Sequence, residues 1–342
     1  MKKTIGLLAL LIVQIAVAQQ PYYDDVNLNL TGEDLYDELQ QKLEDHNTSF
    51  NYNDARDVLV FTDLDPDNSN DVLLVYGYND NDGNCTTDRT RNKNSFGGGT
   101  CEYNREHVFA KSLANPSMEG SSGIIADPHN IRASDTQMNN NRGNKRFQDG
   151  SGTAGNVGSG NWYPGDEWKG DVARMVMYMY TRYDSRCTPS YVGVGGTQGT
   201  TEMLQMFLEW NAEDPVSEYE DQRNDHLEGA YGNRNPFIDN PYLATVIWGG
   251  VAAEDRWGTM STQDIATVSV AMYPNPTTTG TVTFTTSATI NNVVVYDLNG
   301  KVVQTVDVLP NNELNVAALS QGFYLVHIET ASGSLVKKLL VE

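Results

Sequence analysis

Two segments in the first half of the chain combine histidine, acidic, amide and arginine side chains. Residues 103–109 read YNREHVF, and residues 127–147 read DPHNIRASDTQMNNNRGNKRF. Hydrolysis of a phosphodiester needs a base that activates water, a divalent cation on the scissile phosphate and cationic groups for the developing charge. His107, Glu106 together with an asparagine, and the nearby arginines could supply all three. The two segments therefore predict phosphodiester chemistry.

A short helix is expected to carry the asparagine and arginine side chains of the second segment. Ser134 begins a capping-box pattern as its N-cap, and Gly143 is a suitable C-terminal stop. The helix should therefore run over residues 135–142. Asn139 and Arg142 are three positions apart on it and share a face.

The two histidines of these segments have different neighbours. Glu106 and His107 are adjacent, so on a regular strand their side chains would point to opposite sides. Both can serve one phosphate only if the backbone is irregular there or if the site lies at the end of the strand. His129 would share a strand face with Asp127, which favours a buried, hydrogen-bonded supporting role over catalysis.

Hydrophobic periodicity predicts further elements around these segments. Residues 31–43 begin with a capping threonine and repeat leucine every four positions, which predicts a helix. Apolar runs at residues 58–61 and 72–75 are bounded by polar residues and predict short buried strands. Residues 169–183 and 201–213 predict helices, and the methionine-rich face of the first is more typical of a core than of a cofactor site.

Alternating acidic residues between the two expected strands resemble the first half of a calcium loop. Asp63, Asp65 and Asp67 have the spacing of the early ligands. However, Asn68 stands where the loop needs glycine, and Leu74 where it needs the bidentate acid. A solvated turn explains the segment at least as well, so no metal is assigned to it.

The charge distribution restricts how the chain can bind a polyanion. The net charge is -22, which argues against a broad basic surface that grips phosphates. Residues 86–147 nevertheless contain nine Lys and Arg against six Asp and Glu, a local charge of +3 on a body of -25. This pattern predicts weak, salt-sensitive binding, which suits an enzyme that must release its product.

The N-terminus and the cysteines indicate export. Residues 1–18 have the basic start, apolar run and small-residue end of a secretory signal peptide, with cleavage expected after Ala18. No later segment is expected to span a membrane. An exported chain with three cysteines permits one disulfide. Pairing of Cys85 with Cys101 is preferred, but pairing with Cys187, or no disulfide, remains open.

Composition changes after residue 258. Residues 260–267 form a short polar linker, and strand signals then alternate with turns at residues 281–284, 293–296, 302–306, 323–328 and 335–341. Asn299 and Gly300 form a strong hairpin signal between two of these runs. The pattern predicts a small β-sandwich, in which His327 is a strand residue rather than a ligand.

The segment from about residue 22 to 250 resembles the endonuclease I family of secreted, non-specific nucleases, whose active site is of the ββα-metal, or His-Me finger, type. The resemblance rests on several blocks in the family's order: NREHV at 104–108, DPHNIR at 127–132, NNNRGN at 139–144, KGDVAR at 169–174, DPVS at 214–217 and NRNPFID at 233–239. It implies an α+β fold: a mainly helical nuclease domain with an embedded ββα-metal motif, followed here by the small all-β sandwich.

The resemblance also implies roles for individual residues. Glu106 and Asn139 would hold one Mg²⁺, with Mn²⁺ or Ca²⁺ as alternatives, and His107 would be the general base, leaving 5′-phosphate ends. Family members bind the cleaved phosphate with an arginine between the two motifs, but residues 108–126 contain none. That role is therefore moved to Arg132 or Arg142. The expected substrates are DNA and also RNA, and the expected enzyme is a monomer.

The C-terminal module resembles the sorting domain of type IX secretion substrates. The resemblance rests on YPNP at 273–276, VYDLNGK at 295–301 and GFYLV at 322–326. It implies contact with the type IX machinery and a secreted or cell-surface protein. The expected domains are a signal peptide at 1–18, a nuclease domain at 19–258, a linker at 259–267 and a sorting domain at 268–342.

Two competing functions are compatible with the same motifs. A catalytically inactive surface adhesin on a nuclease fold would bind polymer without Mg²⁺ and without turnover, and the intact Glu106, His107 and Asn139 argue against it. A phosphodiesterase acting on a substrate other than nucleic acid is the third interpretation.

Overall fold

The computed structural model describes residues 20–44, 49–258, 270–286, 289–297, 301–306, 309, 312–330 and 333–342. The chain divides into two compact units, Met1–Gly258 and Thr259–Glu342. The expected signal peptide and the expected linker lie outside the described residues. None of the helices in the described ranges has both the length and the apolar character needed to span a bilayer.

Helices are distributed along the whole first unit. Their bounds are α1 Gly32–Glu44, α2 Tyr52–Thr62, α3 Thr136–Arg142, α4 Lys169–Tyr183, α5 Pro189–Val192, α6 Gln205–Glu213, α7 Glu218–Tyr231, α8 Pro236–Asp239 and α9 Tyr242–Trp248. The helices predicted over residues 31–43 and 169–183 are confirmed as α1 and α4. The helix predicted from residue 201 begins only at Gln205, because Leu204 is extended and pairs in a β-bridge with Thr197.

The apolar run at residues 58–61 lies in helix α2, so the prediction of a strand there is wrong. Asn51 caps this helix in a capping box, in which Asp54 accepts a hydrogen bond from the backbone N–H of Asn51. Ala55 and Leu59, four positions apart, are buried on one helical face. A run of four apolar residues does not distinguish a strand from a buried helix, and here the cap upstream decides.

The strands of the first unit form small antiparallel sheets. Their bounds are β1 Leu64–Asp65, β2 Asn68–Leu73, β3 Thr90–Asn92, β4 Tyr103–His107, β5 Ile131–Asp135, β6 Gly155–Val157 and β7 Asn161–Tyr163. Strands β1, β2 and β3 form one sheet, β4 pairs with β5, and β6 pairs with β7. The strand predicted over residues 72–75 overlaps β2 only at Val72 and Leu73, because β2 begins earlier and ends at Leu73. Just beyond β2, the Val75 N–H donates to Ala133 O at 2.9 Å and ties this segment to β5.

Helix α4 lies at the centre of the first core. It packs mainly against α6 and α1, and Val172, Met175, Val176 and Met179 are all at most 3% exposed. Full burial of such a side chain contributes about 1.5–3 kcal/mol. The interpretation of this methionine-rich face as core is confirmed.

Strand β5 is held by buried charged groups as well as by apolar contacts. Asp63 is fully buried and accepts a hydrogen bond from the Ala133 N–H at 2.6 Å. The same carboxylate pairs with Arg223, whose guanidinium also donates to the backbone carbonyl of Ile131 at 2.6 Å. Asp63 therefore fixes the position of β5 from the inside and does not face the turn between β1 and β2.

A disulfide joins Cys85 to Cys101, as preferred from the sequence, and Cys187 is buried as a free thiol. The bond closes the segment that leads directly into β4. The active-site strand thus begins two residues after a covalent crosslink, which restricts the conformations of the preceding loop.

The second unit is entirely β-structure within its described residues. The strands are β8 Ala271–Tyr273, β9 Thr281–Thr285, β10 Ile290–Tyr296, β11 Val302–Val306, β12 Glu313–Asn315, β13 Gly322–Thr330 and β14 Gly333–Val341. One antiparallel sheet has the order β11-β10-β13-β14 and the other β12-β9-β8. Each of the five predicted strand runs lies in one of these strands.

Side chains of both sheets share one apolar cluster, which is the arrangement of a sandwich. Val282 and Phe284 from one sheet lie in this cluster with Val293 and Val326 from the other. The hairpin pairing between β10 and β11 is present, with Tyr296 opposite Val302. The Asn-Gly turn predicted between them lies outside the described residues.

Candidate active site

One polar cavity is lined by strand β4, by the segment that follows it and by helix α3. Strand β4 pairs with β5. The strands are antiparallel, with Glu106 opposite Arg132 and His107 opposite Ile131. Asp135, rather than the predicted Ser134, caps α3 and accepts from the backbone N–H groups of Gln137 and Met138.

The cavity measures about 330 Å³, and its lining includes Glu106, His107, Asn139 and Arg142. Because His107 is the last residue of β4, the site lies at the end of the strand. This position explains how two adjacent side chains can face the same cavity.

Glu106 is a buried carboxylate with one engaged and one unengaged oxygen. Its Oε1 accepts hydrogen bonds from the Tyr76 hydroxyl at 2.9 Å and from Arg142 Nη1 at 3.0 Å. Burial raises the pKa of Glu106, and the Arg142 charge and these hydrogen bonds oppose that rise. No hydrogen bond from the described residues reaches Oε2, which leaves this oxygen for a cation.

The amide of Asn139 has a defined orientation. Its Nδ2 donates to Asn104 Oδ1 at 2.7 Å and to the backbone carbonyl of Arg105 at 3.2 Å. A carbonyl oxygen can only accept, so the nitrogen must face Arg105, and Oδ1 is the free atom of the amide. Two hydrogen bonds thus fix the side chain while leaving its oxygen without a partner among the described residues.

These two side chains fit a hard divalent cation. One carboxylate oxygen and one amide oxygen, both free and both on the lining of a single cavity, match the oxygen ligands that Mg²⁺ prefers. Within the described ranges no group of three or more His, Cys, Asp and Glu side chains is placed to hold a metal. A site of this composition leaves most coordination positions to water and substrate, as is usual for Mg²⁺ bound by protein.

His107 is held as a neutral base. Its Nε2 lies 2.8 Å from the backbone carbonyl of Ile125, and because that oxygen only accepts, Nε2 carries the proton. Nδ1 is then the free lone pair of the ring. Burial lowers the pKa of His107 to about 4, with further lowering by Lys111, Arg105 and Arg142, so the ring is neutral at pH 7. The Tyr52 ring stacks on the imidazole at 5.4 Å.

Arg142 lies in the cavity wall but is occupied by protein partners. It is fully buried and pairs with Glu106. It also donates to the backbone carbonyls of His107 at 2.9 Å and Val108 at 2.7 Å. The guanidinium therefore positions the acid and the strand end.

Arg132, the other arginine considered for phosphate binding, is not brought to the cavity. It is 1% exposed. Its Nη1 donates to Asp171 at 2.9 Å, and its guanidinium lies over the Tyr219 ring at 4.6 Å. The sequence placed Arg132 near the motif, but its side chain emerges on the core side of β5, where it is paired with an acid.

The structure places two other cations at the cavity. Lys111 is exposed and Arg105 half-buried, and both contribute to the lining. Arg105 is packed over the Tyr52 ring at 3.5 Å. Lys111 was missed because only arginines were considered between the two motifs, although it is the one lysine of residues 108–126.

His129 lies in a buried network away from the cavity. The residues before β5 form a 3-10 turn capped by Asp127, not the strand that was expected. His129 Nε2 lies 3.2 Å from the Asn233 carbonyl, and its ring packs at 4.3 Å from Tyr178. Burial lowers its pKa to about 3. The contacts agree with the supporting role inferred from the sequence.

Comparison with known proteins assigns this arrangement to a family. Residues 31–242, more than half of the chain, match the family described as Endonuclease I. The chain belongs to the endonuclease I family. It is therefore a nuclease, and dependence on a metal is typical of endonuclease I proteins. All the cavity residues named above lie inside the matched segment.

Two relatives agree with this assignment to the endonuclease I family. An "Extracellular ribonuclease" of Bacillus subtilis (strain 168) is 37% identical over 239 residues, covering 66% of this chain and 78% of the relative. An "Extracellular ribonuclease" of Bacillus amyloliquefaciens is 35% identical over 241 residues, covering 67% and 78%.

The second unit has its own match. Residues 271–342 match the secretion system C-terminal sorting domain. Together with the extracellular relatives, this domain shows that the endonuclease is secreted or held at the cell surface.

Proposed function

We propose that the protein is a secreted endonuclease that hydrolyses phosphodiester bonds of DNA and RNA with a single Mg²⁺ and with His107 as the general base. The observation that carries this proposal is that three residues lining one cavity each have an atom that no described residue engages: His107 Nδ1, Glu106 Oε2 and Asn139 Oδ1. We further propose that β4, β5 and α3 are the ββα-metal motif of a mainly helical domain.

Glu106 and Asn139 are the residues that would hold the ion. The bound ion supplies Lewis-acid stabilisation of charge on the scissile phosphate and on the leaving oxygen. Because the two protein ligands contribute one negative charge, the site keeps a net positive charge toward the substrate. Arg142 pairs with Oε1 and so opposes the rise in the pKa of Glu106 that burial causes, which favours the ionised carboxylate.

His107 Nδ1 takes one proton from the attacking water. The water oxygen forms a bond to phosphorus while the bond from phosphorus to the 3′ oxygen breaks. The departing 3′ oxygen takes up a proton from solvent, which leaves a 3′ hydroxyl and a 5′ phosphate. The Ile125 carbonyl holds the Nε2 proton throughout and so fixes the ring with Nδ1 directed to the reaction. General-base catalysis of this kind typically contributes about 10²–10⁴-fold.

The relatives' names and the site chemistry together suggest a broad substrate range. The relatives are called ribonucleases, whereas the one-metal site uses nothing that depends on a 2′ hydroxyl. A base-activated water replaces the 2′ hydroxyl as nucleophile, so DNA and RNA are both substrates in this proposal.

Metal removal is the experiment that tests the proposed function. Plasmid DNA and a labelled single-stranded RNA are incubated with the purified full-length enzyme, with and without EDTA. EDTA should abolish cleavage of both, added Mg²⁺ should restore it, and a ligase that requires 5′ phosphates should rejoin nicked plasmid. Cleavage that persists in EDTA, or products with 3′ phosphates, would contradict the mechanism. Titration with Mg²⁺, Mn²⁺ and Ca²⁺ identifies the preferred ion.

We propose Lys111 as the cation that binds the scissile phosphate. It is exposed on the cavity that His107 faces, whereas Arg132 and Arg142 are buried in ion pairs. Lys111→Ala should lower kcat/KM about 10- to 100-fold, as expected for loss of a hydrogen bond between charged groups. It should also reduce the slope of log kcat/KM against log salt concentration by about one, because one fewer counterion is released when the substrate binds.

Two other variants test whether the loss of kcat/KM is specific to the charge at Lys111. Lys111→Arg should recover most of the loss because it keeps the charge. Lys93→Ala removes a charge from the same locally basic segment but not from the cavity lining, so it should change kcat/KM less than twofold. Equal losses in Lys111→Ala and Lys93→Ala would mean that only general charge matters.

We also propose the domain limits expected from the sequence: signal peptide 1–18, nuclease domain 19–258, linker 259–267 and sorting domain 268–342. The break between the two compact units after Gly258 supports the second limit. N-terminal sequencing of the exported protein checks the first.

A further inference from the structure

A second polar cavity adjoins another face of helix α3. It measures about 590 Å³ and includes Met138 and Asn141 in its lining, whereas Asn139 and Arg142 of the same helix line the active-site cavity. A helix with its side chains is about 10–12 Å across. At about 3.4 Å per stacked nucleotide, the two cavities are a few nucleotides apart along a strand.

The lining of this second cavity is suited to a nucleobase rather than to a phosphate. Tyr78 is 36% exposed there. Four asparagines also belong to the lining: Asn84, Asn140, Asn141 and Asn156. Among the described residues that line the cavity, Lys145 is the only charged one. Single-stranded bases are recognised by aromatic rings that stack on them and by groups that both donate and accept hydrogen bonds.

Several polar groups at this cavity are not used by the protein. The side-chain amides of Asn140 and Asn156 make no hydrogen bond with any described residue, in contrast to the fixed amide of Asn139. Trp162 is 2% exposed, and its buried Nε1–H finds no acceptor within the described part of the chain. Lys145 Nζ lies 5.8 Å from the Trp162 ring. Unused donors and acceptors beside an exposed ring indicate a ligand with a hydrogen-bonding edge and a flat face.

We propose that this cavity binds an unpaired nucleobase a few nucleotides from the scissile phosphate. In this arrangement the Tyr78 ring stacks on the base, the Asn140 and Asn156 amides meet its edge, and Lys145 contacts the adjoining backbone. Amides can donate and accept, so all four bases are accommodated. In a duplex the base edges are already paired and the faces stacked, so the subsite favours single-stranded or locally opened substrate. This inference rests on the proposed function.

A base-deletion experiment tests the subsite directly. Single-stranded decamers are made in the sugar series that the wild type cleaves faster, with one cleavable phosphodiester and nuclease-resistant linkages elsewhere. An abasic residue is moved through the positions around the cleavable bond. For the wild-type enzyme, kcat/KM should fall about 5- to 150-fold at one position, the fold-change range of base–aromatic stacking. Tyr78→Ala should lose a similar factor on the intact decamer and less than twofold more when that base is absent.

Matched variants distinguish the loss of base stacking from a general loss of folding or activity. Tyr78→Phe keeps the ring and should restore both kcat/KM and the sensitivity to the missing base. Phe61→Ala removes another exposed aromatic side chain, 54% exposed on helix α2 and outside both cavities, and should behave as the wild type. The subsite would be overturned if the losses from Tyr78→Ala and from base removal multiplied independently. It would also be overturned if the Tyr78→Ala enzyme had the wild-type kcat/KM. A wild type that cleaves plasmid but no single-stranded decamer would also overturn the subsite, whereas a wild type that cleaves neither would refute the proposed function.

Discussion

Replacement of His107 by alanine is expected to lower kcat for nucleic-acid cleavage by about 10²–10⁴-fold, because the water loses the base that accepts its proton. Within the described part of the chain no hydrogen bond joins the imidazole to Glu106 or Asn139, the proposed metal ligands, so the apparent KM should change little. The measurement is steady-state cleavage of a labelled oligonucleotide at saturating Mg²⁺.

His226→Ala is the matched control for this result. His226 packs on Phe61 at 5.2 Å on the outer face of helix α7 and is not in the cavity lining. Its replacement should leave kcat within twofold of the wild type. Undiminished cleavage by His107→Ala would reject the assignment of His107 as the base, whether or not EDTA abolishes cleavage.

Replacement of Arg142 by methionine is expected to destabilise the first unit by about 3–5 kcal/mol, the usual cost of removing one partner of a buried ion pair. The Glu106 carboxylate would remain buried with only the Tyr76 hydroxyl as donor. The carbonyls of His107 and Val108 would each lose a hydrogen bond. Activity should fall with stability, because the same guanidinium positions the acid that would hold the ion.

Tryptophan fluorescence during denaturant unfolding measures this change in the relevant unit alone. All five tryptophans precede residue 258, so the signal reports the nuclease unit and not the C-terminal one. Arg56→Met provides the control: its guanidinium is 45% exposed in a surface pair with Asp57, and such pairs contribute at most about 1 kcal/mol. A loss below about 1 kcal/mol for Arg142→Met would show that the buried pair is not a major stabilising contact.

A second comparison tests the cause of the Arg142 effect. Glu106→Gln combined with Arg142→Met replaces the stranded carboxylate by a neutral amide. The double variant should be more stable than Arg142→Met alone while remaining inactive, because an uncharged group costs less to bury than an unpaired charge.

Periodicity was sufficient for helices α1 and α4 and for five strands of the second unit, but it did not predict helix α7 or the short strands β8 and β12. Helix α4 and the strands β9, β10, β11, β13 and β14 follow repeats of apolar side chains that a core must bury, so their positions are readable from the sequence. The run at residues 58–61 was not readable in this way, because four apolar residues satisfy a strand and a buried helix equally. The capping box at Asn51 was the signal that separates the two interpretations.

The sequence also could not predict which cations remain free. Arg132 and Lys111 both lie near the motifs, but the partner of Arg132 is Asp171, 39 positions away in the chain. Only the fold shows that this arginine is neutralised and that Lys111 stays exposed. In the same way, the orientation of the Asn139 amide depends on the backbone of Arg105, a contact that no local pattern encodes.

The disulfide between Cys85 and Cys101 determines in which compartment the proposed base subsite is completed. The two neighbours of Cys85 in the chain, Asn84 and Thr86, form part of the wall of the proposed base subsite. Thiols stay reduced in the cytosol and oxidise outside it. We therefore expect the reduced chain to bind an unpaired base less well than the crosslinked enzyme, so that the proposed subsite is complete only in an oxidising compartment.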